Sequence, residues 1–236
     1  MSTKAMHIVA VTTSLSEDST TLKLTNRILG QAASAGESVS IDVTTDVINV
    51  RNLATALTDM TLTGFRSEAL ESAFAAIAAA DAIVTVAPVY KAAPVGLHAL
   101  FWQLIDDRAL NGKPVLIAST GGTARHSLAG DAVLRPMLSY LKGIVVPTTV
   151  FAATDDWGTV EGGRALSARI RQAGEELVSL TATIIGAGHD DLAEVADPDS
   201  SAGAAAVGTQ RASENRGIVD EFDPSNVTPF AQLLEG

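Results

Sequence analysis

The apolar positions of this chain fall into two patterns, short continuous runs and repeats at helical spacing, and their alternation predicts strands separated by helices. Met6-His7-Ile8-Val9-Ala10-Val11-Thr12-Thr13 reads as a first strand, and Leu24, Ile28, Leu29 and Ala32 mark a helix ending near Gly36. Val39-Ser40-Ile41-Asp42-Val43 alternates apolar with polar, as a sheet-edge strand does when one face is less covered. Residues 51 to 65 carry only a weak helical pattern and a Thr-rich loop with Gly64. A helix on Leu70, Phe74 and Ile77 then leads into Ile83-Val84-Thr85-Val86-Ala87, an apolar run of the kind found in a parallel sheet covered on both faces. The next helix repeats Leu97, Leu100, Phe101, Leu104 and Ile105.

After Asn111-Gly112 the pattern repeats. Pro114 to Ser119 is a second buried run, and Val133, Leu134, Met137, Leu138 and Leu141 carry a helix. Gly143 to Phe151 reads as the last strand, and its internal Pro147 cannot donate to a ladder, which assigns it to an edge. A final helix from about Glu161 to Ile185 repeats Leu166, Ile170, Ala173, Leu177, Leu180 and Ile184. With strands two and five at the edges, the expected fold is α/β: a doubly wound, five-stranded parallel sheet in the order 2-1-3-4-5. That order places the loops after strands one, three and four around one crevice.

Composition narrows the chemistry. Among the 236 residues there is no cysteine, which excludes disulfides, thiolate nucleophiles and cysteine-held metals. The four histidines, at 7, 98, 126 and 189, are scattered without metal-ligand spacing, so no metal is expected. A net charge of −11 argues against nucleic acid, whose binding needs clustered Lys and Arg. No apolar run approaches the roughly 20 residues of a membrane span, and nothing resembles a signal peptide, so a cytoplasmic protein with no membrane association is expected.

Candidate chemistry lies on the three loops. Ser14-Leu15-Ser16-Glu17-Asp18-Ser19-Thr20-Thr21 offers hydroxyls, backbone N–H groups and a helix N-terminus, which suit a dianionic phosphate. It has no glycine, so a single terminal phosphate fits better than a diphosphate. Glu17 and Asp18 must point to solvent for this to hold. A serine-rich helix cap is the plainer alternative for the same residues. The turn Ala87-Pro88-Val89-Tyr90-Lys91-Ala92-Ala93-Pro94-Val95-Gly96 joins two rigid elements, and its prolines and glycine imply a fixed backbone suited to ligand binding. Thr120-Gly121-Gly122, followed by His126, permits close approach of a flat ligand or simply a tight turn. Trp157 is assigned either to the crevice or to a subunit contact.

In order and spacing, these segments resemble the flavodoxin-like NAD(P)H-dependent FMN reductases over about residues 6 to 186. The PVYKA segment (Pro88 to Ala92) and Thr120-Gly121-Gly122 with His126 carry the likeness. More narrowly, the chain is similar to the reductase components of luciferase-like and alkanesulfonate-type monooxygenases. The resemblance implies that Ser14, Ser16, Ser19, Thr20 and Thr21 hold the FMN phosphate. It implies that Pro88, Val89, Tyr90, Lys91 and Ala92 wrap the isoalloxazine edge, and that Thr120, Gly121, Gly122 and His126 lie on the ring's other side. Two positions depart from that pattern: Pro94 stands where the alkanesulfonate-type reductases have a tyrosine, and Ser16 is nearest to their phosphate-loop arginine.

The implied activity is hydride transfer from NADH or NADPH to FMN between stacked rings, with no catalytic acid or base. A quinone or azo reductase and an electron-carrier flavodoxin are the alternatives on the same fold. The implied partners are a monooxygenase that consumes reduced flavin and further copies of this chain, as a homodimer or homotetramer. Residues 1–186 are expected to form the FMN-binding domain. Residues 187–236 shift to Ala, Gly, Asp and Ser and are expected to be partly disordered, with Phe230, Leu233 and Leu234 as a docking face.

Overall fold

Strands buried on both faces must be covered twice, so the helices of this chain divide between the two sides of one sheet. The computed structural model describes residues 4–16 and 19–187. In chain order these form β1 (Lys4–Thr12), α1 (Thr20–Ser38), β2 (Ile41–Asn49), α2 (Ala54–Thr63), α3 (Glu68–Ala79) and β3 (Ala82–Tyr90). Then come β4 (Ala93–Pro94), α4 (Gly96–Leu104), β5 (Pro114–Gly121) and α5 (Arg135–Tyr140). The series ends with β6 (Ile144–Val145), β7 (Val150–Ala153), α6 (Asp155–Gly158) and α7 (Val160–Ala187).

The sheet runs β2-β1-β3-β5-β6, with β7 also paired to β5 and every one of these pairings parallel. This is the expected doubly wound order, its last strand now in two pieces. Alternate residues of β1 and β3 point to opposite layers. Ile8, Ala10, Val84 and Val86 pack with Leu24 and Ile28 of α1 and Leu166, Ile170 and Leu177 of α7. Val9, Val11 and Ile83 face Leu70, Phe74 and Ile77 of α3 and Phe101 and Trp102 of α4. Within this second layer Phe101 meets Phe74 and Trp102 edge-on, with ring centroids 5.5 and 5.3 Å apart.

The structure differs from the sequence expectation at the two edges. The second strand begins at Ile41 and runs to Asn49, because Val39 and Ser40 close helix α1, with Ser40 at a φ of 59°. The polar residues Thr44, Thr45 and Asp46 hid its continuation beyond Val43, since an edge strand with a solvated face has no need of sustained apolar alternation. Pro147 interrupts the last strand, so β6 and β7 each pair separately with β5. The ambiguous stretch after β2 is a short 3₁₀ turn, Val50–Leu53, followed by α2, which Gly64 ends in the left-handed conformation that glycine adopts most readily. The helix carrying Val133 opens with a π-helical turn over Gly130–Leu134.

No helix among the described residues is long and apolar enough to cross a membrane. The expectations for residues 187–236 lie outside the described residues, apart from Ala187 itself, which closes α7. Phe101 is fully buried at the centre of the aromatic cluster, so Phe101→Ala is expected to lower unfolding free energy by about 3–5 kcal/mol in denaturant titration. A loss below about 1 kcal/mol would place the core elsewhere.

Candidate functional site

Because β1 feeds a helix on one face and β3 feeds a helix on the other, the two chains diverge beyond the last rung of their ladder, Thr12 opposite Val86. Such divergence opens a crevice at the carboxyl ends of parallel strands. Here a cavity of about 310 Å³ occupies it. Leu15, Ser16, Ser19, Thr20 and Thr21 form one wall, Pro88, Val89 and Tyr90 a second, and Thr120, Gly121 and Thr154 a third. The three expected loops therefore meet.

The first wall is built on the start of α1. Ser19 is its N-cap, the hydroxyl accepting from the Thr21 N–H at 3.1 Å. The remaining first-turn N–H groups, at Thr20 and Leu22, have no acceptor within an α-helix, which makes this end attractive to an anion. Thr21 is also tied across the crevice, its hydroxyl 2.9 Å from that of Thr120. Glu17 and Asp18 lie outside the described residues.

Ser14 stands behind the wall. It is buried, its hydroxyl donates to the Ser16 carbonyl at 2.6 Å, and its N–H donates to Asn49 Oδ1 at 3.2 Å. Asn49 donates back from Nδ2 to the Ser14 carbonyl at 3.4 Å. The end of β2 thus clamps the start of the loop.

The second wall is a hairpin. Val89 pairs with Pro94 and Tyr90 with Ala93, leaving Lys91 and Ala92 as a two-residue turn. Both have positive φ, 50° and 66°, as a type I′ turn requires and as Asn-Gly would adopt more cheaply. This holds the Pro88 to Tyr90 backbone rigid and leaves Tyr90 exposed. Lys91 and Ala92 are also exposed and lie beyond the cavity lining.

In the third wall Gly121 packs closely, since a Cβ there would stand 2.8 Å from the Phe151 ring and the ring would have to shift. Gly122 is exposed with open space around it, and His126 is half-buried; neither lines the cavity. A smaller cavity of about 100 Å³ shares Thr20, Gly121 and Thr154 with the first and is closed by Trp157. That places Trp157 at the crevice, with the Arg27 guanidinium 5.4 Å from its ring centroid.

Periodicity and spacing did not reveal the polar network beneath the crevice. His98, on α4, is fully buried. Its Nδ1 lies 2.8 Å from Thr13 Oγ1 and its Nε2 2.7 Å from Thr85 Oγ1. Trp102 Nε1 donates to Thr85 Oγ1 at 3.1 Å and to His98 Nε2 at 3.3 Å. Burial pushes the imidazole pKa down to about 3, so the ring is neutral at pH 7. A proton on Nε2 would oppose the Trp102 N–H, so the network assigns the proton to Nδ1, donating to Thr13. The only signal in the sequence was a histidine on the apolar face of a helix.

A larger cleft, about 650 Å³, lies elsewhere, between the C-terminal end of α1, the start of β2 and α7. It sits at the amino end of the strands, away from the three loops and from any helix N-terminus, so it offers no anion cradle.

Ala92→Gly relieves the left-handed strain and is expected to raise stability by about 1 kcal/mol, read as a higher Tm. His98 predicts a pH effect. Between pH 6.5 and 3 the unfolded chain binds one more proton than the folded one, so stability falls on acidification by up to about 1.4 kcal/mol per pH unit and is flat above 6.5. Denaturant titrations at pH 6.5 and 4.5 should show a steeper loss for the wild type than for His98→Asn; equal slopes contradict the assignment.

Residues 6–158 match the family described as NADPH-dependent FMN reductase. The chain is similar to the NADH-dependent FMN reductase SfnE of Pseudomonas putida, 34% identical over 176 residues that cover 74% of this chain and 92% of that protein. It is similar to the FMN reductase (NADPH) of Pseudomonas aeruginosa, 34% identical over 179 residues covering 75% and 94%. The solved structure of an oxidoreductase from Corynebacterium diphtheriae matches with a TM-score of 0.73 at 36% identity, over 77% of this chain and 99% of that one. The chain belongs to the NADPH-dependent FMN reductase family, whose activity class is NAD(P)H:FMN oxidoreductase and whose cofactors are FMN and a reduced nicotinamide nucleotide.

Proposed function

We propose that this chain holds FMN in the crevice at the ends of β1, β3 and β5, receives hydride there from NADH or NADPH, and delivers the reduced flavin to a partner monooxygenase. The observation that carries the reading is the polarity of one cavity: hydroxyls and a helix N-terminus at one end, a rigid Pro-Val-Tyr backbone and a glycine at the other. A molecule with a single phosphate and a flat ring fits both ends at once. FMN is such a molecule.

In this reading Ser16, Ser19, Thr20 and Thr21 hold the phosphate through hydroxyls and first-turn N–H groups, with charge–dipole attraction in place of an arginine. Ser14 braces that loop from behind through Ser16 and Asn49. Pro88, Val89 and Tyr90 run along the ring edge, with Thr120 and Gly121 on the opposite wall. Lys91, Ala92, Gly122 and His126 form the rim, and Lys91 with Arg125, both exposed on the segments after β3 and β5, would meet the nucleotide's phosphates. Bound FMN supplies the hydride acceptor, and transfer between stacked rings needs no side-chain acid or base. The protein's part is to hold one ring face against its wall and leave the other open.

The open mouth of the crevice, with Tyr90 55% exposed, supports exchange of the flavin with a monooxygenase. Tyr90 and Leu128, exposed on the segments after β3 and β5, support a homodimer or homotetramer.

Anaerobic titration of the full-length protein with NADPH and NADH in excess FMN, followed by ultrafiltration, tests the reading. The expected result is FMN-dependent nucleotide oxidation with reduced flavin in the filtrate. Retained flavin with negligible turnover indicates an electron carrier, and turnover with menadione but not with FMN indicates a quinone reductase; either result overturns the proposal.

A further inference from the structure

The β1–β3 ladder ends at Thr12 and Val86, and one more hydrogen bond, from the Thr13 N–H to the Val86 carbonyl at 3.2 Å, closes it. Past that point the two chains separate into the first and second walls of the cavity. His98 sits at this fork, its ring bridging Thr13, the residue just before the phosphate loop, and Thr85, three residues before Pro88. A leucine would fill the same buried volume on α4 beside Phe101 and Trp102, but it would leave the buried Thr13 hydroxyl without this partner and Thr85 and Trp102 with only each other.

The direction of the hydrogen bonds matters. Trp102 donates to Thr85, Thr85 to His98 Nε2, and His98 Nδ1 to Thr13, so the chain of donors runs from the core toward the loop. Thr13 is thereby fixed by its backbone to β3 and by its side chain to α4. Ser14 next to it is clamped by Asn49, and Leu15 and Ser16 after that are already cavity wall. No residue of this network lines the cavity, so its effect on a ligand passes through the segments that leave it, from Thr13 into the first wall and from Thr85 toward Pro88.

We propose that His98 is a positioning residue for flavin phosphate: through Thr13, its ring sets where the segment that begins at Ser14 leaves the sheet. The inference rests on the reading that this loop holds the phosphate. It predicts that disturbing the His98–Thr13 bond weakens FMN while sparing riboflavin, which has the same ring and no phosphate. A core histidine that only satisfies its neighbours would, when replaced, lower stability and affect both flavins alike.

The test measures Kd for FMN and for riboflavin by fluorescence quenching on the full-length protein, at a temperature well below each variant's Tm. Thr13→Val removes the hydroxyl at nearly constant volume. His98→Asn places an amide at the same number of bonds from the backbone as Nδ1, and His98→Gln places one at the reach of Nε2.

The wild type is expected to prefer FMN, and Thr13→Val and His98→Gln to lose that preference by about tenfold, the worth of one hydrogen bond to a charged group. His98→Asn should retain it. A wild-type preference that survives in Thr13→Val overturns the role of His98 and leaves the phosphate loop standing. Equal affinity of the wild type for both flavins overturns the phosphate reading and this inference with it. Should Thr13→Val fail to fold, the contrast between His98→Asn and His98→Gln carries the same decision, and equal ratios in the two contradict the proposal.

Discussion

The parallel pairing of β1 with β3, each buried on both faces, is the constraint on which the rest of this structure depends. From this pair β1 crosses over to β2 on one side and β3 to β5 on the other, so right-handed crossovers send their following helices to opposite layers. α1 joins α7 on one side and α4 joins α3 on the other. The crevice is the space left where those paths part, and it is determined by strand order before any residue in it is chosen. Chemistry is then a matter of which side chains the three loops carry.

Holding that space open in a defined shape takes polar contacts in the middle of an apolar layer. The Thr13–His98–Thr85–Trp102 network, the Asn49–Ser14 clamp and the Thr21–Thr120 bridge all cluster at the carboxyl end of the sheet. Each is satisfied internally, as buried polar groups must be. Each also joins segments far apart in the chain, so the walls of the cavity are fixed relative to one another as well as to the core. Two positive-φ residues in the Tyr90 to Ala93 hairpin complete this rigidity at some cost in backbone strain.

The fold was legible because its signals are local and strong. The run from Ile83 to Ala87 and the long repeat from Leu166 to Ile184 each point to one kind of element, and the position of Pro147 marks an edge. β2 was placed too early at its start because Ser40 gave no sign of its left-handed conformation, and it was ended at Val43 because the polar stretch up to Asn49 lacks sustained apolar alternation. In the crevice, Ser16, Ser19 to Thr21, Pro88 to Tyr90, Thr120 and Gly121 were legible because turn residues at strand ends stand out against apolar runs. Asn49, Thr13, Thr154 and His98 were not. Their partners lie far away in sequence, and a histidine among leucines on one helix face has no spacing that would separate it from its neighbours.

In the proposed reading the crevice between these three loops, and no other cavity, takes FMN. Amide chemical-shift mapping of the isotopically labelled protein on addition of FMN tests it directly. The largest shifts are expected at Ser16, Ser19 to Thr21, Tyr90 and Gly121. Shifts centred instead on Val39, Ser40, Glu175 and Ser179, around the larger cleft at the other end of the sheet, would contradict it.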